Sequence, residues 1–379
     1  MRTVEFETGV PIKIWASEVD PDSLRQAVDI ANLPFTYSHV ALMPDAHVGY
    51  GMPIGGVLAT VDGFIIPNAV GVDIGCGMTA VRTSLTGVDV DGLKRIMGRA
   101  RLAIPMGFEH HKEPQLWDLF GSAPDIPIIQ AELNAARRQL GTLGGGNHFI
   151  EIQGGSDGHI WFMIHSGSRN FGLNVANDYH RKALALREAQ DITHPKDLAW
   201  LPWEPVGQEY FEAMQYCARF ARANRAQMKD RLLGIFQDEL NGSEEWWVDA
   251  AHNYAALEMH GYPLIVHRKG AIRARLGEYG VVPGSMGSPS YITTGLGSEE
   301  SFASSSHGAG RRMGRGTARK TLKLEDEQQR MGSIVHGLRT AQDLDEAPSA
   351  YKDIEQVMAE QQDLTRIEVV LTPLANIKG

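Results

Sequence analysis

Cys76 lies three residues after Asp73 in the glycine-laced string GVDIGCG, residues 71–77. A thiol and a carboxylate this close, with the backbone freed by Gly75 and Gly77, can turn onto one small target. That target reads as a metal pair: a thiolate can bridge two cations, a carboxylate suits the harder of them, and imidazoles fill the remaining positions. Several histidines stand in contexts that suit the part. His148 follows the turn Gly141–Asn147 and precedes Phe149, where a glycine turn feeds a strand. His165 ends the apolar run Ile160–Ile164 and opens the string HSGSR. His252, within DAAHNY, is expected where a helix begins near the end of a loop. Each of these could equally be a core or cap histidine, and their joint fit to a Cys–Asp pair is what favours ligation. His307 is different, being flanked by Ser304–Ser306 and Gly308–Gly310 and followed by Arg311. An imidazole so little crowded could be a nucleophile, with backbone amides and the guanidinium stabilising phosphoryl charge; the bland alternative is a surface loop.

These residues need a scaffold, and the pattern supplies one of mixed type. Phe211, Met214, Ala218, Ala221, Met228, Leu232 and Phe236 recur at three- and four-residue spacing, predicting a helix over Gln208–Leu240. Further helices are expected over Ile128–Leu140 and near Leu93–Leu102, and strands over Gly56–Val61, Phe64–Ile66, Phe149–Ile152, Ile160–Ile164 and Ile367–Leu371. Glycines gather in residues 49–56, 71–77, 141–146, 284–287 and 308–316, each beside a His, Cys or charged residue, as tight turns that bring backbone N–H groups to a ligand. The expectation is an α/β (mixed α+β) fold forming a single large domain over residues 1–379, with mixed sheets flanked by helices.

Composition narrows the class. At 379 residues and 43% hydrophobic content the chain can build a substantial core. No apolar run approaches the roughly 18 residues of a membrane span, and the N-terminus lacks a signal-peptide core. Cys76 and Cys217 are too few for a disulfide scaffold and fit a reducing, cytoplasmic compartment. A net charge of −10 argues against broad binding to nucleic acid, although Arg311–Lys320 holds five basic residues and no acid, and Arg268, Lys269, Arg273 and Arg275 cluster shortly before it. Residues 283–290, PGSMGSPS, offer an anion nest. There is no P-loop, the glycines of 141–146 do not fit the dinucleotide fingerprint, and the lysine string of lysine-dependent nucleotidyltransferases is absent, so a covalently held nucleotide would have to sit on histidine.

Read together, the strings resemble the RtcB family of RNA-splicing ligases nearly end to end. They are MPDAHVGYG (43–51), VGVDIGCGM (70–78), GTLGGGNHFIEI (141–152), HSGSR (165–169), HNY (252–254), RKGA (268–271), PGSMG (283–287), HGAGR (307–311), AYKDI (350–354) and the terminal Lys378-Gly379. The resemblance implies an enzyme that joins an RNA 3′-phosphate or 2′,3′-cyclic phosphate to a 5′-hydroxyl, using GTP and two manganese ions. It implies that Asp73, Cys76 and His148 hold one metal and that Cys76, His165 and His252 hold the other. His307 corresponds to the histidine that becomes guanylylated, and Asp45 to the carboxylate that orients it. The guanylate-binding positions correspond to Asn147, His148, Phe149, Ile150, Glu151, His252, Asn253, Pro283, Gly284, Ser285, Met286, Ser290, His307, Gly308, Ala309, Gly310, Tyr351 and Lys378. Among them Glu151 and Lys378 would contact the base and Tyr351 would stack on it. Arg169 and Arg311–Lys320 would track the RNA backbone. The implied setting is tRNA splicing or RNA repair, with no membrane and a monomer as the expected state.

Departures from the family pattern fall at Ser305, where many members have cysteine, at Gly314, where a serine is common, and at Tyr50, where some relatives carry lysine; they bear on RNA preference. An enzyme that guanylylates RNA ends or opens cyclic phosphates without sealing is the alternative reading, and a non-catalytic RNA- or nucleotide-binding protein is a third.

Overall fold

The computed structural model describes residues 1–61, 63–190 and 193–379. The long helix runs over Gln208–Leu240 as the periodicity predicts, and it stops where Asn241 adopts the left-handed conformation, φ 56°. The other two expected helices form as Val90–Ala103, capped by the Asp89 side chain, and Pro127–Gln139, which begins on a proline at its first turn. The strand expected at Phe64–Ile66 does not form. Ile65 makes only an isolated bridge to Leu201, and Pro67, which has no N–H to give a ladder, opens a short helix over Pro67–Val70 instead.

The strands make two principal sheets. One has six strands in the spatial order Arg2–Val4, Ile12–Ile14, Thr36–His47, Ile54–Thr60, Pro263–Lys269 and Asn253–Met259. The other has seven, in the order Tyr279–Val282, Ser290–Gly295, Thr365–Lys378, Phe149–Gly155, Ile160–Ser166, Gly77–Thr83 and Glu244–Ala251. A small ribbon pairs Ala271–Arg273 with Ser304–Ser306. Among the described residues, all pairings between these strands are antiparallel except Ile12–Ile14 with Thr36–His47. The architecture is thus mixed α/β, with the sheets flanked by helices. No helix among the described residues is long and apolar enough to cross a membrane.

His252 is not at a helix start. It is the single residue between Glu244–Ala251, at the edge of the seven-stranded sheet, and Asn253–Met259, at the edge of the six-stranded one. Its N–H donates to Cys76 O at 2.8 Å and its carbonyl accepts from Gly270 N at 2.8 Å, so both backbone groups are satisfied although neither sheet continues through it.

The long helix braces the glycine strings from behind. Arg225, 1% exposed, forms a two-pronged ion pair with Asp249, Nε to Oδ2 at 2.7 Å and Nη2 to Oδ1 at 2.8 Å. Its Nη1 donates to Gly75 O at 2.8 Å and Ser166 O at 2.9 Å. Next to it, buried Asn224 accepts from Gly141 N at 2.7 Å and donates to Ser166 Oγ and Gly167 O, each at 3.1 Å. Gly75 allows the close approach: at φ +71° a Cβ there would sit 2.7 Å from the Cα of Ala218 on the helix. Arg225→Met should therefore strand a buried carboxylate and two carbonyls, costing about 3–5 kcal/mol in denaturant unfolding. A change below about 1 kcal/mol would contradict this bracing role.

Candidate active site

The seam between the sheets holds a cavity of about 420 Å³, within the range of small-molecule sites. Cys76 enters it just before Gly77–Thr83, His148 just before Phe149–Gly155, His165 near the end of Ile160–Ser166, and His252 from the link between the sheets. Asp73 comes from the turn ahead of Cys76. Cys76 Sγ lies 3.6 Å from His148 Nε2 and 3.3 Å from His165 Nε2, and these atoms fall within 4.8 Å of one another. Asp73 Oδ2 lies 2.9 Å from His148 Nε2, and His252 Nε2 lies 3.4 Å from His165 Nε2. The residues expected as ligands thus converge, presenting sulfur, nitrogen and carboxylate oxygen to one small volume.

Their protonation suits ligation. Burial, reinforced by neighbouring His148, pushes His165 down to about 3, so its imidazole is neutral near pH 7. Its Nδ1 lies 2.9 Å from Asn147 O, and a proton donated there leaves the Nε2 lone pair facing Cys76. His252 is held well below its ordinary range by burial and by His307 and His165. Burial opposes ionisation of Asp73, yet the hydrogen bond and charge of His148, with help from Cys76, bring it down to about 2. Burial and the Asp73 carboxylate raise the Cys76 thiol well above its ordinary value. Cation binding would have to displace that proton, making affinity steeper with pH. The donor set fits a transition-metal pair that accepts thiolate, imidazole and carboxylate together.

His307 stands at the rim, its ring centroid 4.7 Å from that of His252. The Asp45 carboxylate, fully buried, has Oδ2 2.6 Å from His307 Nδ1 and accepts from the His307 backbone N–H at 3.1 Å. Burial would raise the Asp45 pKa, but the imidazole's charge and hydrogen bond outweigh it and hold the carboxyl below the ordinary range. With Nδ1 committed to Asp45, Nε2 carries the free lone pair. Gly310 seats the loop: at φ +71°, a Cβ there would come within 2.2 Å of Asp45 O.

Of the remaining expected positions, Asn147, Phe149, Glu151, Asn253, Pro283–Met286, Gly308–Gly310, Tyr351 and Lys378 line the cavity. Ile150 and Ser290 do not. Strand alternation turns Ile150, 1% exposed, into the hydrophobic core with Phe162 and Ile164. Ser290 Oγ accepts from Gly284 N at 3.2 Å, supporting the turn from beneath. The basic cluster before Arg311 is for the most part not a surface patch, Arg275 being its exposed member. Arg268 is fully buried and pairs with Glu258 at 2.6 Å, Lys269 Nζ donates to Tyr50 O and Asn68 O, and Arg273 pairs with Glu278 at 2.6 Å. Arg169 braces the glycine turn through Thr142 Oγ1 at 3.2 Å and Gly107 O at 3.1 Å. Arg311 and Arg315 of the expected basic string line the cavity, while sequence reasoning passed over His47, Glu346 and Asn376, which line it too. His47, two residues past Asp45, was the readable one; Glu346 and Asn376 carry no local signal.

A thiol–imidazole–carboxylate cradle beside a histidine fixed by a buried carboxylate defines a candidate metal-centre enzyme. The family model described as tRNA-splicing ligase RtcB matches residues 26–123 and 122–379. The RNA-splicing ligase RtcB of Escherichia coli K12 is 38% identical over 403 residues, covering 97% of each chain. The tRNA-splicing ligase RtcB of Thermococcus kodakarensis is 32% identical, covering 94% of this chain and 91% of that protein. The RNA-splicing ligase RtcB of Mycobacterium tuberculosis is 30% identical, covering 93% and 100%. The chain belongs to the RtcB family.

One cavity residue allows a stability test. Burial raises Glu151 from an ordinary 4.5 to about 8, against the lowering effect of its hydrogen bond from Gln153. The folded chain therefore keeps a proton that the unfolded chain releases above about pH 4.5. The contribution of this group is full below that pH and declines as pH rises towards 8. Wild type should lose melting temperature relative to Glu151→Gln over that interval; parallel pH profiles would count against it.

Proposed function

We propose that this chain is a GTP-dependent RNA ligase that joins a 3′-phosphate or 2′,3′-cyclic phosphate to a 5′-hydroxyl through a guanylate carried on His307. The observation that carries the reading is the 2.6 Å contact from His307 Nδ1 to Asp45 Oδ2, which leaves Nε2 as a nucleophile beside the metal cradle. Full-length similarity to proteins named RNA-splicing and tRNA-splicing ligases supports the substrate class.

In the first step His307 Nε2 attacks the α-phosphorus of GTP, a nitrogen–phosphorus bond forms, and pyrophosphate leaves. Asp45 holds the Nδ1 proton and stabilises the positive charge that develops on the ring. An oxygen of the RNA 3′-phosphate then attacks the same phosphorus, breaking the bond to histidine. The 5′-hydroxyl attacks the activated 3′-phosphate, losing its proton and expelling GMP. A cyclic phosphate is opened by water to the 3′-phosphate beforehand. Arg311, with its guanidinium 5.1 Å from the Tyr351 ring centroid, and Arg315 face the same cavity and can offset phosphate charge. Two manganese ions held by Asp73, Cys76 and His148 and by Cys76, His165 and His252 would supply charge neutralisation for the phosphates and lower the pKa of bound hydroxyl or water.

Incubation with radiolabelled GTP and manganese should leave an acid-labile label on the denatured chain, and His307→Ala should remove it while manganese content stays near wild type. Persistence of the adduct in that variant would refute the assignment. Supplied with RNA bearing 3′-phosphate and 5′-hydroxyl ends, the protein should yield circles; 3′-capped strands alone would favour end-capping without sealing. Cys76→Ala should lower the manganese bound per chain and abolish most ligation, and unaltered stoichiometry would argue against a shared thiolate.

A further inference from the structure

Alternation along two neighbouring strands builds one wall of the cavity. Where Thr365–Lys378 pairs with Phe149–Gly155, Lys378 lies opposite Phe149 and Asn376 opposite Glu151. Residues two apart share a face, so Phe149, Glu151, Asn376 and Lys378 all line the cavity, while Ile150 packs into the core behind. The lysine and the carboxyl of this wall are complementary in kind. A lysine ammonium only donates hydrogen bonds, whereas a carboxyl keeps an oxygen that accepts them whether or not it is ionised. A guanine edge offers the carbonyl O6 beside N1–H and N2–H, whereas adenine offers an amino group where guanine has O6.

Lys378 does not set its own direction. Its Nζ is paired with the Asp345 carboxylate, which is 4% exposed and also takes Arg319 Nη2 at 2.9 Å. The Asp345 carbonyl accepts Arg311 Nη2 at 2.5 Å, so both the side chain and the backbone of this residue are committed. Asp345 stands on the short 3-10 helix Ala341–Glu346, whose start is fixed by reciprocal bonds between Thr340 and Asp343. The next residue, Glu346, accepts Arg311 at 3.2 Å, Arg315 at 3.0 Å and the Tyr351 hydroxyl. One short element therefore gathers the cations of this side of the cavity. An unpaired lysine side chain would lose considerable rotamer freedom on meeting a base, and pairing it beforehand removes that cost.

We propose that Asp345 is the positioning residue that sets a guanine preference in this cavity, by holding Lys378 where it donates to the base carbonyl while Glu151 accepts from the base N–H groups. The proposal rests on the guanylyl-transfer reading above. Asp345 is not among the cavity-lining residues and acts through Lys378.

The test compares kcat/KM for covalent adduct formation with GTP, ITP and ATP in the full chain, for wild type, Asp345→Asn, Lys378→Met and the double variant. ITP keeps O6 and lacks the 2-amino group; ATP lacks O6. Asp345→Asn should lower the GTP-over-ATP ratio roughly tenfold or more, as loss of a charge-assisted contact would. It should leave the GTP-over-ITP ratio unchanged, since Glu151 is untouched. The double variant should fall no further than Lys378→Met alone. Should Asp345→Asn fold poorly, Asp345→Glu keeps the charge but changes its reach, and an intermediate ratio is expected. An unaltered GTP-over-ATP ratio in the folded variant, an equal loss for all three nucleotides, or additivity with Lys378→Met would overturn the proposal. Absence of any adduct in wild type would instead defeat the guanylyl-transfer reading itself.

Discussion

The buried charge of Arg225 is the constraint on which the rest depends. A guanidinium buried this completely is unfavourable unless every donor finds an acceptor, and its acceptors are Asp249, Gly75 O and Ser166 O. Those acceptors lie on the strand leading to His252, the turn carrying Asp73 and Cys76, and the strand end carrying His165. Asn224 adds the turn leading to His148. Segments remote in sequence are thus referred to two adjacent positions of one rigid helix, which is how distant ligands come to sit a few ångströms apart.

Much of this was legible because it is local. The helix over Gln208–Leu240 follows from spacing alone, and His148 and His165 sit at strand ends because glycine turns border apolar runs. Convergence of the cradle could be inferred from chemical complementarity, since Cys76 and Asp73 make sense only with imidazoles beside them. What stayed hidden depends on pairing between distant segments. DAAHNY carries no mark that its histidine joins two sheets, because each flanking strand is recognisable only with its partners in place. The burial of Arg268 was equally hidden, because nothing local shows that Glu258 lies across the strand pair at 2.6 Å.

The site is also costly to keep. A protonated thiol, neutral imidazoles at His165 and His252, and a largely un-ionised carboxyl at Glu151 are each shifted against their ordinary values by burial. Asp45 Oδ1, His148 Nδ1 and His252 Nδ1 are buried with no hydrogen-bond partner. Groups arranged this way favour a ligand that compensates them, and the surrounding helices and core must offset the strain in its absence.

The link through His252 has a consequence for how such a chain can diversify. With one residue between the edges of two sheets, there is no slack at this joint. A one-residue insertion or deletion would invert the inward and outward alternation of an attached strand, or rotate the imidazole away from Cys76. Length variation in descendants of this sequence should consequently be channelled into outer loops, leaving the joint as a fixed punctuation mark by which distant members can be aligned.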